Sequence, residues 1–131
     1  MANINRDYVV QINTNFQPGF NHNRFELVKR DKPMRFKKDD LNSANFFIVV
    51  TGFKPELTLK MGLLYPLELK RFEIYEPVLR GTQDDSYIFE VQLDESVLKN
   101  PGKFKYEFYI ETEQGTKITS DNDVFKVDNC L

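Results

Sequence analysis

Hydrophobic residues in this chain recur at every second position. Across residues 86–93, Tyr87, Phe89, Val91 and Leu93 alternate with Ser86, Ile88, Glu90 and Gln92. Across residues 103–111, Phe104, Tyr106, Phe108 and Ile110 take one side, and Lys103, Lys105, Glu107 and Glu111 take the other with Tyr109. Successive side chains of a strand point to opposite faces, so the pattern predicts strands with one buried and one wet face, as in antiparallel sheets. The same reading predicts shorter strands at Tyr8–Ile12, Arg24–Val28, Glu56–Met61, Leu69–Tyr75, Lys117–Thr119 and Asp123–Val127. Asn45–Thr51 is apolar and rich in β-branched residues, which suits a central strand. No fifteen-residue window holds a helical period. About eight short strands separated by turn signals predict an all-β, antiparallel β-sandwich.

Turn chemistry fills the gaps. Asn100-Pro101-Gly102 offers a proline that presets φ and a glycine that accepts a positive one. Glu95 to Lys99 can form one helical turn capped by Asp94. Glu113 to Thr116 suits a hairpin turn. Residues 13–23 are rich in Asn, with one Pro and one Gly, and are expected to be irregular. The chain therefore divides into residues 1–23, an N-terminal arm or first strand with an irregular linker, and residues 24–131, the sandwich domain. As an arm, Tyr8, Val9, Val10, Gln11 and Ile12 are a candidate subunit interface, adding a strand to a neighbour's sheet edge. The alternative is that they form the first strand of their own sandwich.

Composition narrows the function classes. The 131 residues are enough for one domain with one core, and they are 40% hydrophobic and 14% aromatic, with 12 Phe and no Trp. Charged residues make up 29%, yet the net charge is only −2, so nothing in the totals drives the chain to nucleic acid or to a membrane surface. The basic run Lys29, Arg30, Lys32, Arg35, Lys37 and Lys38 is broken by Asp31, Asp39 and Asp40 and reads as a solvated strand edge. The single cysteine, Cys130, allows no internal disulfide, which fits assembly in a reducing cytoplasm. The first residues lack the apolar core of a signal peptide, and no stretch nears the roughly twenty apolar residues of a membrane span.

Candidate chemistry is sparse. The one histidine, His22, falls in the irregular segment, and Cys130 lies at the tail, so neither has an oriented partner. Nucleophile-elbow, phosphate-loop and dinucleotide motifs are absent. Asp39 with Asp40, Asp84 with Asp85, and Asp121 with Asp123 could face calcium, but a calcium loop begun at Asp40 places Ala44, Asn45 and Thr51 where an oxygen ligand, a glycine and a bidentate Glu belong. Turn formation explains these clusters with fewer assumptions. No catalytic, cofactor or metal residue is therefore assigned, and the expectation is a non-enzyme. The polar loop Phe36–Asn45 is expected to turn the chain, with the side chains of Asp40 and Asn42 bonding their own backbone, ahead of a core strand.

That loop also carries a resemblance. Arg35-Phe36-Lys37-Lys38-Asp39-Asp40-Leu41-Asn42-Ser43-Ala44, running into Asn45–Thr51, resembles a motif of the N-terminal domain of the phage baseplate upper protein family of siphophages of Gram-positive bacteria. The order that follows is also similar: a strand like Tyr87–Leu93, a short loop with Gly102, an aromatic strand like Phe104–Ile110, a turn at Gly115 and a closing Phe-x-Val strand. The likeness covers roughly residues 25–127 and is most specific at Asp40–Ala44. It implies an immunoglobulin-like β-sandwich and a structural role in the virion, as a baseplate adaptor docked on the distal tail protein and supporting receptor-binding proteins. It also implies a trimer or larger ring, no cofactor and no catalytic residue. Family members commonly continue into a helical stalk; this chain ends at Leu131, which suggests a short adaptor or a docking domain alone. The segment before Phe25 has no counterpart in the pattern. The rival expectation is a carbohydrate-binding or adhesin-type sandwich that contacts the host wall through exposed aromatics, with Tyr65, Tyr75 and Tyr109 as candidates.

Overall fold

A computed structural model of the chain describes residues 8–13, 24–28, 34–41, 44–111, 113, 115, 117–120 and 122–129. The chain is an all-β sandwich, two mixed sheets packed face to face. Among the described residues there are eleven strands: β1 Val9–Asn13, β2 Arg24–Val28, β3 Met34–Lys37, β4 Asn45–Thr51, β5 Thr58–Leu64, β6 Phe72–Tyr75, β7 Val78–Gln83, β8 Ser86–Gln92, β9 Gly102–Glu111, β10 Lys117–Ser120 and β11 Asp123–Asp128. One helical turn, α1 Glu95–Leu98, links β8 to β9.

Sheet A runs β2-β1-β4-β8-β7. In sheet B, β9 pairs with β5 on one side and with β11 and β10 on the other; β6 extends it beyond β5, and β3 extends it beyond β11. β2 belongs to both layers, pairing with β1 through Glu26–Val28 and with β10 through Arg24 and Phe25. A strand that changes sheets closes a corner of a sandwich.

The strands are not all antiparallel as the alternation predicted: β1 runs parallel to β4, β2 to β10 and β3 to β11. Alternation reports that one face is buried and the other wet; it carries no information on strand direction. β3 and β7 were also not foreseen. β3 has four residues beside a run of charge, and β7 holds Gly81, where the register with β8 shifts between Leu79 and Gly81. A glycine inside a strand marks such a bulge more often than it marks an uninterrupted strand.

The core is mainly aromatic. Phe104 and Phe125 stack with centroids 5.0 Å apart, and Phe36 meets Phe125 edge-on at 5.4 Å. Phe46, Ile48 and Val50 from β4 face them across the sandwich, fully buried. α1 begins as predicted: the Asp94 carboxylate accepts from the Val97 backbone N–H at 3.2 Å, and Val97 and Leu98 are buried. Gly102 takes a positive φ of 145°, although it opens β9 rather than forming a tight corner. A Cβ there would lie 2.9 Å from the Pro66 ring, so this glycine also lets the chain after β5 settle against β9.

The loop between β3 and β4 carries the chain from sheet B to sheet A. Lys38 N–H donates to the Asp128 carbonyl at 2.8 Å, Asp39 N–H to Leu98 at 3.3 Å, and Asp40 N–H to Lys37 at 3.2 Å. Asp39 adopts φ 65°, a left-handed conformation that Asp and Asn tolerate better than most residues. On its far side the Gln92 amide donates to the carbonyls of Leu41 and Ala44 at 3.1 and 3.2 Å. This polar corner ends in buried Ala44 and β4. Asn42 lies outside the described residues.

Candidate functional site

The sequence offered few reactive groups, and among the described residues the fold does not gather them. Asp39 and Asp40 sit in the turn after β3, and Asp84 and Asp85 form the two-residue link between β7 and β8. Among the described residues no three His, Cys, Asp or Glu side chains come together as a metal site. His22, Asp121 and Cys130 lie outside the described residues. The described residues include no helix long and apolar enough to cross a membrane.

The tyrosines expected on the surface are not there. Tyr65 is buried in the core and Tyr75 packs partly buried against it, whereas Tyr109 lies on the outer side of β9, opposite Lys60, and is covered there by its neighbours. Tyr65 belongs to a polar network: its hydroxyl donates to Glu73 Oε2 at 3.0 Å and lies 2.9 Å from Ser96 Oγ, which donates to Asp94 Oδ1 at 2.7 Å. Arg71 pairs with Glu73 and lies 4.8 Å from the centre of the Tyr65 ring. Burial pushes the Tyr65 hydroxyl pKa up, with Ser96 opposing and Glu73 reinforcing. Burial also raises that of Tyr75, and the charge on Asp94 adds to it. Glu73 is already engaged by Arg71 and Tyr65. The network fastens β6 to the start of α1 and presents no free acid or base.

The surface is more informative than the interior. Sheet A has an apolar outer face. Its outward residues register as Val9, Phe47, Glu90 and Val78 in one row and as Gln11, Val49, Ile88 and Gly81 in the next. Val9, Phe47, Val49 and Ile88 are partly exposed, and Val78 is half exposed. The row's one carboxylate, Glu90, is neutralised by Arg80 at 2.8 Å and accepts from the Asn45 amide at 2.8 Å. A solvated outer face would carry charges at these positions.

Apolar exposure continues around one flank. β6 and β7, at the edges of the two sheets and joined through Glu76 and Pro77, expose Phe72, Ile74, Val78 and Leu79, and the turn before β6 exposes Leu67 and Leu69. Leu67 is 83% exposed and Ile74 56%. Phe72 lies over Gly62, where a Cβ would come within 2.9 Å of its ring. Contiguous apolar surface of this kind marks contact with other macromolecules, whereas scattered apolar residues do not.

The proposed interface strand is placed as follows. Val10 and Ile12 are buried in the core of their own chain, and β1 is hydrogen-bonded on both sides, to β2 and β4. The Tyr8 hydroxyl donates to the Arg35 carbonyl at 3.0 Å and accepts from the Arg35 N–H at 2.9 Å. Residues 8–13 thus take the position of a first strand, the alternative to an arm. With both ladder edges occupied, they offer a neighbour only their outward side chains, Val9 and Gln11. Phe47, Val49, Ile88 and the β6–β7 flank were not singled out from sequence. The signal was present, as apolar residues at both parities of 45–51 and at Ile88 within an alternating strand.

Compared with known protein families the chain matches none, and a search of curated proteins finds no significant match.

Proposed function

We propose that this chain is a non-enzymatic structural protein of a virion: a β-sandwich adaptor of a phage tail baseplate, held by neighbouring subunits. The observation that supports a role in contact is the apolar outer face of sheet A, with Val9, Phe47, Val49 and Ile88 contributed by three adjacent strands. Burying such a face against protein is worth about 25 cal/mol per Å² of apolar area, the usual driving force of assembly. The setting rests on the resemblance at Arg35–Ala44, whose described residues, 35–41 and 44, lie at the corner between the two sheets. In this reading the partners are the distal tail protein on one side and a receptor-binding protein on the other, with several copies around the tail axis. The carbohydrate-binding rival is left with little exposed tyrosine, since Tyr65 and Tyr109 are buried and Tyr75 partly so, and Phe72 is the exposed aromatic among the residues whose burial is described. Immunogold labelling of particles released by cells carrying this gene tests the proposal. Gold at the tail tip is the expected result, and tailed particles that contain no trace of the chain would overturn it.

A further inference from the structure

The outer face of sheet B collects charge from three separate segments of chain. Arg35 on β3 lies beside Lys126 on β11, and Lys126 lies directly opposite Lys103 on β9. One row toward the flank, Val124 faces Lys105, which faces Leu64 on β5, which faces Phe72 on β6. One row the other way, Lys37 lies beside Asp128. All five cations are exposed. Like charges directly opposite each other in a sheet destabilise it, so a Lys103–Lys126 pair is not there for the fold.

Three carboxylates of β9 and β11 share this face, of which Glu111, at its far end, pairs with Lys60 at 3.4 Å. Asp128 is taken by Arg35, whose Nε and second nitrogen donate to its two oxygens at 2.9 Å each, and this pairing pulls the Asp128 pKa down with help from Lys126. Glu107 lies one row beyond Lys105, beside Gly62. Lys37, Lys103, Lys105 and Lys126 have no ion pair among the described residues. The patch is local, because the whole chain carries a net −2.

Next to the cations lies a cleft of about 400 Å³. Its walls are Leu64, Tyr65, Pro66, Leu67, Phe104 and Val124, and Lys103 and Lys105 form its rim. The close approach of Pro66 to Gly102 shapes one side of it. The space suits one large apolar side chain, and the lysine stems extend its apolar wall while their ammonium groups stay in water.

We infer that this face docks an acidic protein segment, one that sets a bulky apolar residue into the cleft and its carboxylates against Lys103, Lys105, Lys126 and Lys37. Charge complementarity selects an acidic partner, and the apolar cleft beside the lysines selects a polypeptide over a nucleic acid. A single strand of nucleic acid needs cations spaced along a groove with a succession of aromatic rings open for stacking; the cleft's rings, Tyr65 and Phe104, are buried, and Phe72 is a single exposed ring two strands from Lys105. The inference deepens the adaptor reading by giving one partner's chemistry, yet it stands on sheet B alone. Peptide binding without gold at the tail tip would remove the baseplate setting and leave the docking face.

Fluorescence anisotropy on the full chain tests it. The probe is a labelled twelve-residue peptide with six Glu and one central Phe among Gly and Ser. Its controls are the same peptide with Gln for Glu, the same peptide with Gly for Phe, and an oligothymidine of equal charge. The acidic Phe peptide should bind, with each control at least tenfold weaker. Lys103→Glu and Lys126→Glu should each weaken it at least tenfold, and Leu67→Ser should weaken it with less change in salt dependence. Lys126→Glu should also raise the melting temperature, since it converts a like-charged cross-strand pair into an opposite one, so lost binding cannot be put down to misfolding. Absence of binding at millimolar peptide, equal binding of the Gln peptide or of oligothymidine, or unchanged affinity in both lysine variants would each overturn the inference.

Discussion

The two outer faces of this sandwich share one core and differ in almost everything else. Sheet A presents Val9, Phe47, Val49 and Ile88, with Glu90 neutralised by Arg80. Sheet B presents Arg35, Lys37, Lys103, Lys105 and Lys126 around a cleft. The first favours contacts that bury apolar area and resist salt; the second favours contacts that salt weakens. Two-layer architecture makes this separation simple, because in-facing and out-facing residues alternate and each outer set can change without touching the core. On the proposed reading, a sandwich built this way can meet two partners of opposite character at once.

That comparison can be broken most severely from within. Phe125 stacks on Phe104 and touches Phe36 and Tyr106, so Phe125→Ala should cost about 3–5 kcal/mol and disable both faces together. Urea denaturation checks it; a cost below about 1 kcal/mol would mean that the faces do not depend on a common core. A sharper cut comes from Phe47→Lys, which sets a cation rather than a second carboxylate opposite Glu90. Phe47 is partly exposed, so stability should fall by no more than roughly 1 kcal/mol, while association through sheet A drops at least tenfold. Sedimentation or co-purification reads the association, and the acidic peptide on sheet B should bind as before. Loss of both contacts in this variant would show that the faces are coupled.

The smallest expected effect is on the acid side. The Arg35–Asp128 pair is more than a third exposed at both ends, so solvent screens it and its contribution to stability is small. The Asp128 pKa is lower in the folded protein than its ordinary 3.8. Its contribution is therefore complete above that value and is lost as pH falls through the depressed one. Asp128→Asn should lower the melting temperature slightly at pH 6 and by less at pH 3, below the ordinary 3.8. An equal shift at both pH values would separate the effect from the ion pair.

Much of the fold could be read from the chain, and the reasons are specific. β8, β9 and β11 carry period-two patterns, and β4 an apolar, β-branched run, dense enough to fix their bounds within a residue or two. The α1 cap followed from Asp94 alone. β3 and β7 escaped because local composition masks them: one is short and basic, the other is interrupted by Gly81. Strand direction could not be read at all, since parallel pairing of β1 with β4 is a matter of which distant segments meet. The candidate surfaces were harder still. Lys103, Lys126 and Arg35 lie far apart in sequence, and only the ladder between β3, β11 and β9 brings them into one row. The run at 29–38 looked like solvent-facing edge when considered without Lys103 and Lys126.

β2 sets the order in which the molecule can be completed. Its two partners, β1 and β10, come from opposite ends of the chain. During synthesis the first four strands emerge long before β10, so the seam that locks one layer to the other has to wait for the final segment. Until then sheet A's half is an open, sticky surface, and contacts so distant in sequence close slowly. On a growing chain, sheet A can therefore be complete while the seam to sheet B is still open.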